Sequence, residues 1–317
     1  MTKQKISLNH KEREGLRDSM IHFIKTNPPI TLKSTRQKSK LLLKYASITS
    51  VIVMLFGFAG ISFAAQNSLP GDFMYPLKIR LNEKILAFMP FLDEPKPSYY
   101  LYLAHLRLEE AEQLAVQGKL NKKLSKKIVS LLNEHITDAK NSSKATENKS
   151  KANLLVETSS SLEASLSAHG KILSKLADNR GKTSEGVKNM VREIQNKTEE
   201  TKQMRQDSEK KLSVGFASNM KADSEKKAAE AENNLIGAIN FIDSKKGYLS
   251  EDFYILAKTN IHNANSLIIQ GQTKLQLGEY KEAFILFQEA IRTIEEIKIN
   301  VDAAIHLKVN VLPILNQ

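Results

Sequence analysis

Seven histidines are scattered through this chain, and three sit where chemistry is conceivable. His105 with Glu109, and His135 with Asp138, lie about one helical turn apart. That spacing could put two metal ligands on one helix face. His169 falls between Leu166 and Ile172 on an apolar face, where a hydrogen-bonded core or interface histidine is the plain reading. Gly181-Lys182-Thr183 ends like a phosphate-binding loop. The glycine such a loop needs five residues earlier is Leu176, and no strand precedes it. No nucleophile elbow or paired-carboxylate arrangement is legible, and scattered histidines on a charged chain make short-range pairs by chance. The sequence therefore predicts no catalytic residue, no cofactor, no metal and no enzymatic activity.

Positioning any of these groups falls to helices, and the first candidate helix is of another kind. Tyr45 to Ala65 is an uncharged, largely apolar run of 21 residues. As a helix it is roughly 31 Å long, close to the ~30 Å apolar core of a bilayer. It predicts one transmembrane helix over 45–65. Lys38, Lys40 and Lys44 precede it, and the next charge after it is Asp72. This asymmetry predicts a cytoplasmic N-terminus and an extracytoplasmic body. Ser62-Phe63-Ala64 also resembles a small-x-small cleavage site, so a cleaved and secreted body is the alternative. Gly60 and Ala64 form a small-xxx-small pair, a weak signal for a homodimer.

Composition narrows the rest. There is no Cys or Trp, aromatics are 6%, and the net charge is +12. Absence of cysteine excludes disulfides and thiolate metal sites. Residues 1–44 hold eleven basic and three acidic residues, a net +8, which leaves 36 and 32, or +4, for the remainder. The concentrated basicity predicts contact with membrane lipid. The mixed charge of the body, without an aromatic-basic cluster, argues against nucleic acid as a partner.

The fold class predicted is all-α: one transmembrane helix, then an elongated extracytoplasmic bundle of long helices ending in a helical hairpin. The tail, 1–44, carries an amphipathic helix over about Asn9–Lys25, with Leu16, Met20, Phe23 and Ile24 on one face. That face is a candidate interaction surface for membrane or a protein partner. After the span, Pro70-Gly71 suits a type II turn, and Phe73 and Tyr75 are placed to sit among the headgroups. Pro76 fits a first helical turn, and a helix is expected over Leu77–Met89. A helix from Ser98, with Ser98 as N-cap, ends at Gly118, and another begins near Leu120. Residues 140–151 are polar, so this run is one very long helix or two. Asn179–Thr183 reads as a turn. The polar helix from Ser184 is expected to project into solvent or join a loose coiled coil. Another helix covers about Ala217–Ile242. The last two, about Ser250–Leu277 and Glu279–Val309, are split by Gly278.

Leu69-Pro70-Gly71-Asp72, Tyr75-Pro76, Lys78 and Asn82-Glu83 resemble the start of a domain of unknown function found in a family of bacterial single-pass membrane proteins. Arg107-Leu108-Glu109-Glu110-Ala111, Leu114, Gly118-Lys119-Leu120 and Leu162-Glu163-Ala164-Ser165-Leu166 continue the resemblance over about 1–175. It implies an envelope protein with a helical external domain and brings no activity with it. The physical role expected of the motif is structural: a fixed membrane exit, with Glu83 available to pair with Lys78 or Arg107. Residues 270–296 resemble one tetratricopeptide unit through Gly271, Gly278, Tyr280, Ala283, Phe287 and Ala290. A single unit forms no array, so it is expected as a hairpin within the bundle, with a peptide-binding groove as the alternative. The domains expected are 1–44, 45–65, 66–176 (family-like), 177–247 (polar long helices) and 248–317 (hairpin). The function expected is a non-enzymatic envelope protein that binds or senses outside and is coupled to its cytoplasmic tail. A structural scaffold is the alternative.

Overall fold

The computed structural model describes residues 10–26, 67–79, 97–145, 151–178, 185–212 and 217–309. The chain forms two compact units, Met1–Gly60 and Ile61–Gln317. In the first, helix α1 spans His10–Thr26. Leu16 is about half exposed on it. The side chains of Met20, Phe23 and Ile24, and the apolar run 45–65, lie outside the described residues, as do Glu83, the helix expected to Met89 and the turn at 179–183. Among the described residues no helix is long and apolar enough to cross a membrane.

The second unit is all-helical, with no strand among the described residues. Its long helices are α2 (Pro97–Val116), α3 (Lys122–Ala145), α4 (Lys151–Asp178), α5 (Glu185–Lys211), α6 (Ala217–Lys245), α7 (Glu251–Gln276) and α8 (Tyr280–His306). Helices α2 to α5 pack as a four-helix bundle, and α6 to α8 as a three-helix group. The two are joined where α4 packs on α8. The main core runs through Leu108, Leu120, Ile128, Leu132, Leu166, Ile172 and Met190, and is shared by α2 to α5.

Local chemistry sets the ends. Gly118 takes φ 69°, with Lys119 N–H donating to the Leu114 carbonyl at 2.8 Å, so α2 ends in a left-handed glycine stop. Ser98 is not its N-cap, because the helix already includes Pro97, which tolerates a first turn. Asn121 caps α3 by accepting from the Leu124 N–H at 3.0 Å. The polar stretch separates two helices: α3 ends at Ala145, α4 begins at Lys151, and the Ser143 and Thr158 hydroxyls meet at 2.9 Å. Ser250 caps α7, and Gly278 at φ 78° makes the hairpin to α8. A methyl on Gly271 would lie 2.6 Å from the Phe287 ring, so glycine permits the close approach of α7 and α8.

The polar helix α5 does not project into solvent. Val187, Met190, Ile194, Thr201 and Ser208 are buried on α4, its principal neighbour. Arg205 adds hydrogen bonds to Glu163 at 2.7 Å and Glu209 at 2.6 Å. A sparse apolar stripe thus suffices when half-buried ionic pairs flank it.

Candidate functional site

Two polar clusters lie on opposite sides of α2. The first is built by residues 68–78. Asp72 N–H donates to the Leu69 carbonyl at 2.9 Å, Gly71 sits at φ 110°, and the Asp72 carboxylate accepts from Leu69 N–H at 2.8 Å. This is the expected type II turn, closed from both sides. Tyr75 and Pro76 begin a helix at Tyr75–Leu77, and Lys78 and Ile79 after it are helical too. Tyr75 does not sit at the surface: it is fully buried, whereas Phe73 is 94% exposed. The reason is its hydroxyl, which donates to Glu110 Oε2 at 2.7 Å and accepts from Arg107 at 2.8 Å. Lys78 Nζ donates to Glu110 Oε1 at 2.7 Å and to the Ser68 carbonyl at 3.3 Å. Arg107 also meets Glu110 at 3.2 Å. Glu110 is therefore the anion that holds Lys78 and Arg107, and Leu69 joins the main core. Pro70 is buried and Pro76 exposed.

The second cluster lies in a groove. Helices α2 and α8 each pack on α4, which leaves a cavity of about 560 Å³ between them, bordered by Phe241 of α6. Helix periodicity delivers its groups. His105, Glu109 and Glu112 share a face of α2, Ser165 and His169 a face of α4, and Lys298, Asp302 and His306 a face of α8. Glu112 Oε1 lies 2.6 Å from His169 Nδ1, His169 Nε2 lies 2.9 Å from His105 Nδ1, and His105 Nε2 lies 3.2 Å from Glu109 Oε1. The two imidazoles meet edge to face, 4.7 Å between centroids. His306 pairs with Asp302 at 3.1 Å beside them.

Electrostatics assigns the protons. Burial, with repulsion from Glu109, pushes the Glu112 carboxyl well above the ordinary range, so it is protonated and donates to His169 Nδ1. Burial and the nearby His105 hold His169 down at about 3, so it stays neutral and donates from Nε2 to His105 Nδ1. For His105, burial opposes charge, but the hydrogen bond and attraction to Glu109 outweigh it and raise its pKa above 6.5. Glu109 is raised by burial and lowered more by His105, for a net decrease. The four groups form a continuous proton chain, Glu112–His169–His105–Glu109. A proton added to or removed from His105 must rearrange the hydrogen bonds behind it.

Of the pairs expected from spacing, His105 and Glu109 do meet. His135 and Asp138 do not: His135 is buried, neither ring nitrogen has a hydrogen-bond partner, and burial with the Arg107 charge lowers its pKa to about 4. His169 is the satisfied buried histidine the apolar face suggests. Glu112, Asp302 and His306 were not singled out by sequence; the signals were the one-face spacings 105/109/112 and 302/306. Among the described residues, no three His, Asp or Glu side chains are arranged to hold a metal ion. Ser165 Oγ lies 3.5 Å from His105 Nδ1, a nitrogen already engaged by His169. The groove extends along α8 past Glu295, whose carboxyl burial pushes up to about 7 while the Ser161 hydroxyl donates to it at 3.2 Å. No family model, curated protein or solved structure matches the chain.

Proposed function

We propose that this is a non-enzymatic, single-pass envelope protein whose extracytoplasmic helical body senses an external condition and passes it to a cytoplasmic tail. The apolar run 45–65 is the anchor, and the condition is proton activity in the groove between α2 and α8. One observation carries the reading: α2 bears both the proton chain, through His105, Glu109 and Glu112, and the clasp on the exit segment, through Arg107 and Glu110. A shift of α2 on titration of His105 moves residues 68–78, and with them the chain that leaves the anchor. The groups facing His105 are Glu109 and Glu112 from its own helix, His169 and Ser165 from α4, and Lys298, Asp302 and His306 from α8.

The output element is α1, with Leu16, Met20, Phe23 and Ile24 as the face for a protein partner or the inner membrane surface. Crosslinked pull-down of the full chain at external pH 5.5 and 8, beside a Leu16→Glu/Phe23→Glu variant, tests the coupling. The wild type recovers a partner in a pH-dependent manner and the variant does not. Identical recovery by both contradicts it. Protease added outside sealed cells removes the body and spares the tail; digestion only from the cytoplasmic side overturns the orientation.

A further inference from the structure

The stretch Lys119–Ile128 holds five lysines and no acidic residue: Lys119, Lys122, Lys123, Lys126 and Lys127. Four of the five lie within or just before the first helical turns of α3, where the helix dipole disfavours positive charge, and the first turn of α3 has no acidic residue. Helix stability therefore does not explain them. All five are exposed, and Lys119, Lys122, Lys123 and Lys126 form no ion pair with a described residue. Their position is specific. A methyl on Gly71 of the exit turn would meet Leu124 at 3.6 Å, Leu69 and Leu120 share one core, and Lys127 Nζ stands 4.7 Å from the Tyr75 ring centre. The start of α3 thus packs beside the segment where the chain enters the body, with Lys127 against Tyr75 and the other four lysines exposed at the same end. Phe73, exposed at the same turn, supplies an aromatic suited to an interface. Among the described residues, the exposed carboxylates placed beside the lysines are Asp72 of the turn and Glu185, next to Gly186, which packs on the Leu120–Asn121 backbone.

We infer that this lysine collar docks the body on anionic lipid headgroups of the membrane it leaves, so that the N-terminal end of α3, and not its far end at Lys144, meets the bilayer surface. The inference rests on the anchor proposed above, because the tether is what brings residues 119–127 to the lipid. Its attraction is Coulombic and screened by salt.

The chain has no cysteine, so a single Asn121→Cys substitution accepts a fluorophore beside the collar, and Lys144→Cys, at the other end of α3, serves as reference. The full chain is reconstituted in vesicles of phosphatidylcholine, with or without phosphatidylglycerol, carrying a headgroup quencher. The Asn121→Cys label is expected to be quenched in anionic vesicles only, falling at least about twofold on going from 0.1 to 1 M salt. Quenching is also expected to fall in Lys122→Glu/Lys123→Glu/Lys126→Glu, and the Lys144→Cys label stays unquenched. Vesicle-bound protein whose Asn121→Cys label is equally quenched in neutral vesicles, or not quenched at all, overturns the docking. Capture of nucleic acid or an acidic protein in place of anionic vesicles overturns it too. Release of the protein from vesicles by alkaline carbonate overturns the anchor itself, and the docking with it.

Discussion

Glu109 and Glu110 are neighbours in the chain that serve opposite sides of α2. Glu109 meets His105 in the groove at 3.2 Å, and Glu110 holds Tyr75 and Lys78 at 2.7 Å each. Consecutive helical residues diverge by about 100°, so one rigid turn of helix places one carboxylate in each cluster. Any rotation of α2 that changes one contact strains the other.

Glu110→Gln leaves Arg107 and Lys78 buried without their carboxylate, and is expected to cost about 3–5 kcal/mol. Tyr75→Phe removes only the hydroxyl between Arg107 and Glu110, and is expected to cost about 1–3 kcal/mol. Chemical denaturation of both variants measures the difference, and equal costs contradict Glu110 as the central anion.

Glu112 and Glu109 differ in protonation, and their amides report it. Glu112→Gln replaces a neutral acid with a neutral donor and is expected to change stability by less than about 1.5 kcal/mol at pH 7. Glu109→Gln removes the anion that raises the His105 pKa. That raised pKa gives stability that is full below about 6.5 and is lost as pH rises through the folded value. Unfolding curves between pH 5.5 and 8.5 should show this loss in the wild type and a smaller one in Glu109→Gln.

His135 acts in the opposite sense. Its folded pKa is about 4, below the ordinary value of 6.5, so the unfolded chain takes the proton first. Its penalty is absent above about pH 6.5 and grows as pH falls toward about 4. With both ring nitrogens unpartnered, His135→Leu is expected to stabilise the body, and by more at pH 5 than at pH 8. A pH-independent effect would contradict a buried neutral ring.

Two helical glycines separate packing from propensity. A methyl on Gly186 would run into the Leu120 carbonyl and lie 2.6 Å from the Asn121 carbonyl oxygen, whereas one on Gly237 meets nothing within 4 Å. Gly186→Ala should cost at least about 2 kcal/mol, and Gly237→Ala should stabilise by about 0.5–1 kcal/mol. Thermal unfolding of the pair gives both signs.

Helix identity was legible because it rests on local periodicity and punctuation: Gly118, Ser250 and Gly278 mark ends that the structure places where the residues suggest. The burial of Tyr75 is not legible in the sequence, because its environment is made by Arg107 and Glu110, some thirty residues away, which no local pattern encodes. The packing of α5 was hidden likewise, since Thr201 and Ser208 read as polar yet bury well beside Arg205 and Glu163. His105 and Glu109 were visible as a spacing. Their meeting with His169 depends on how α2 and α4 cross, and only the fold supplies that.

The central claim is that titration in the groove reaches the membrane exit. The direct measurement is a pH titration, from 8.5 to 5, of a fluorophore on Phe73→Cys in the full chain reconstituted in vesicles. The signal is expected to change with a midpoint above 6.5, to shift to lower pH in Glu109→Gln, and to flatten in Glu110→Gln, where the clasp is cut. A signal that is flat in the wild type, or that has the same midpoint with Glu109→Gln, contradicts the account.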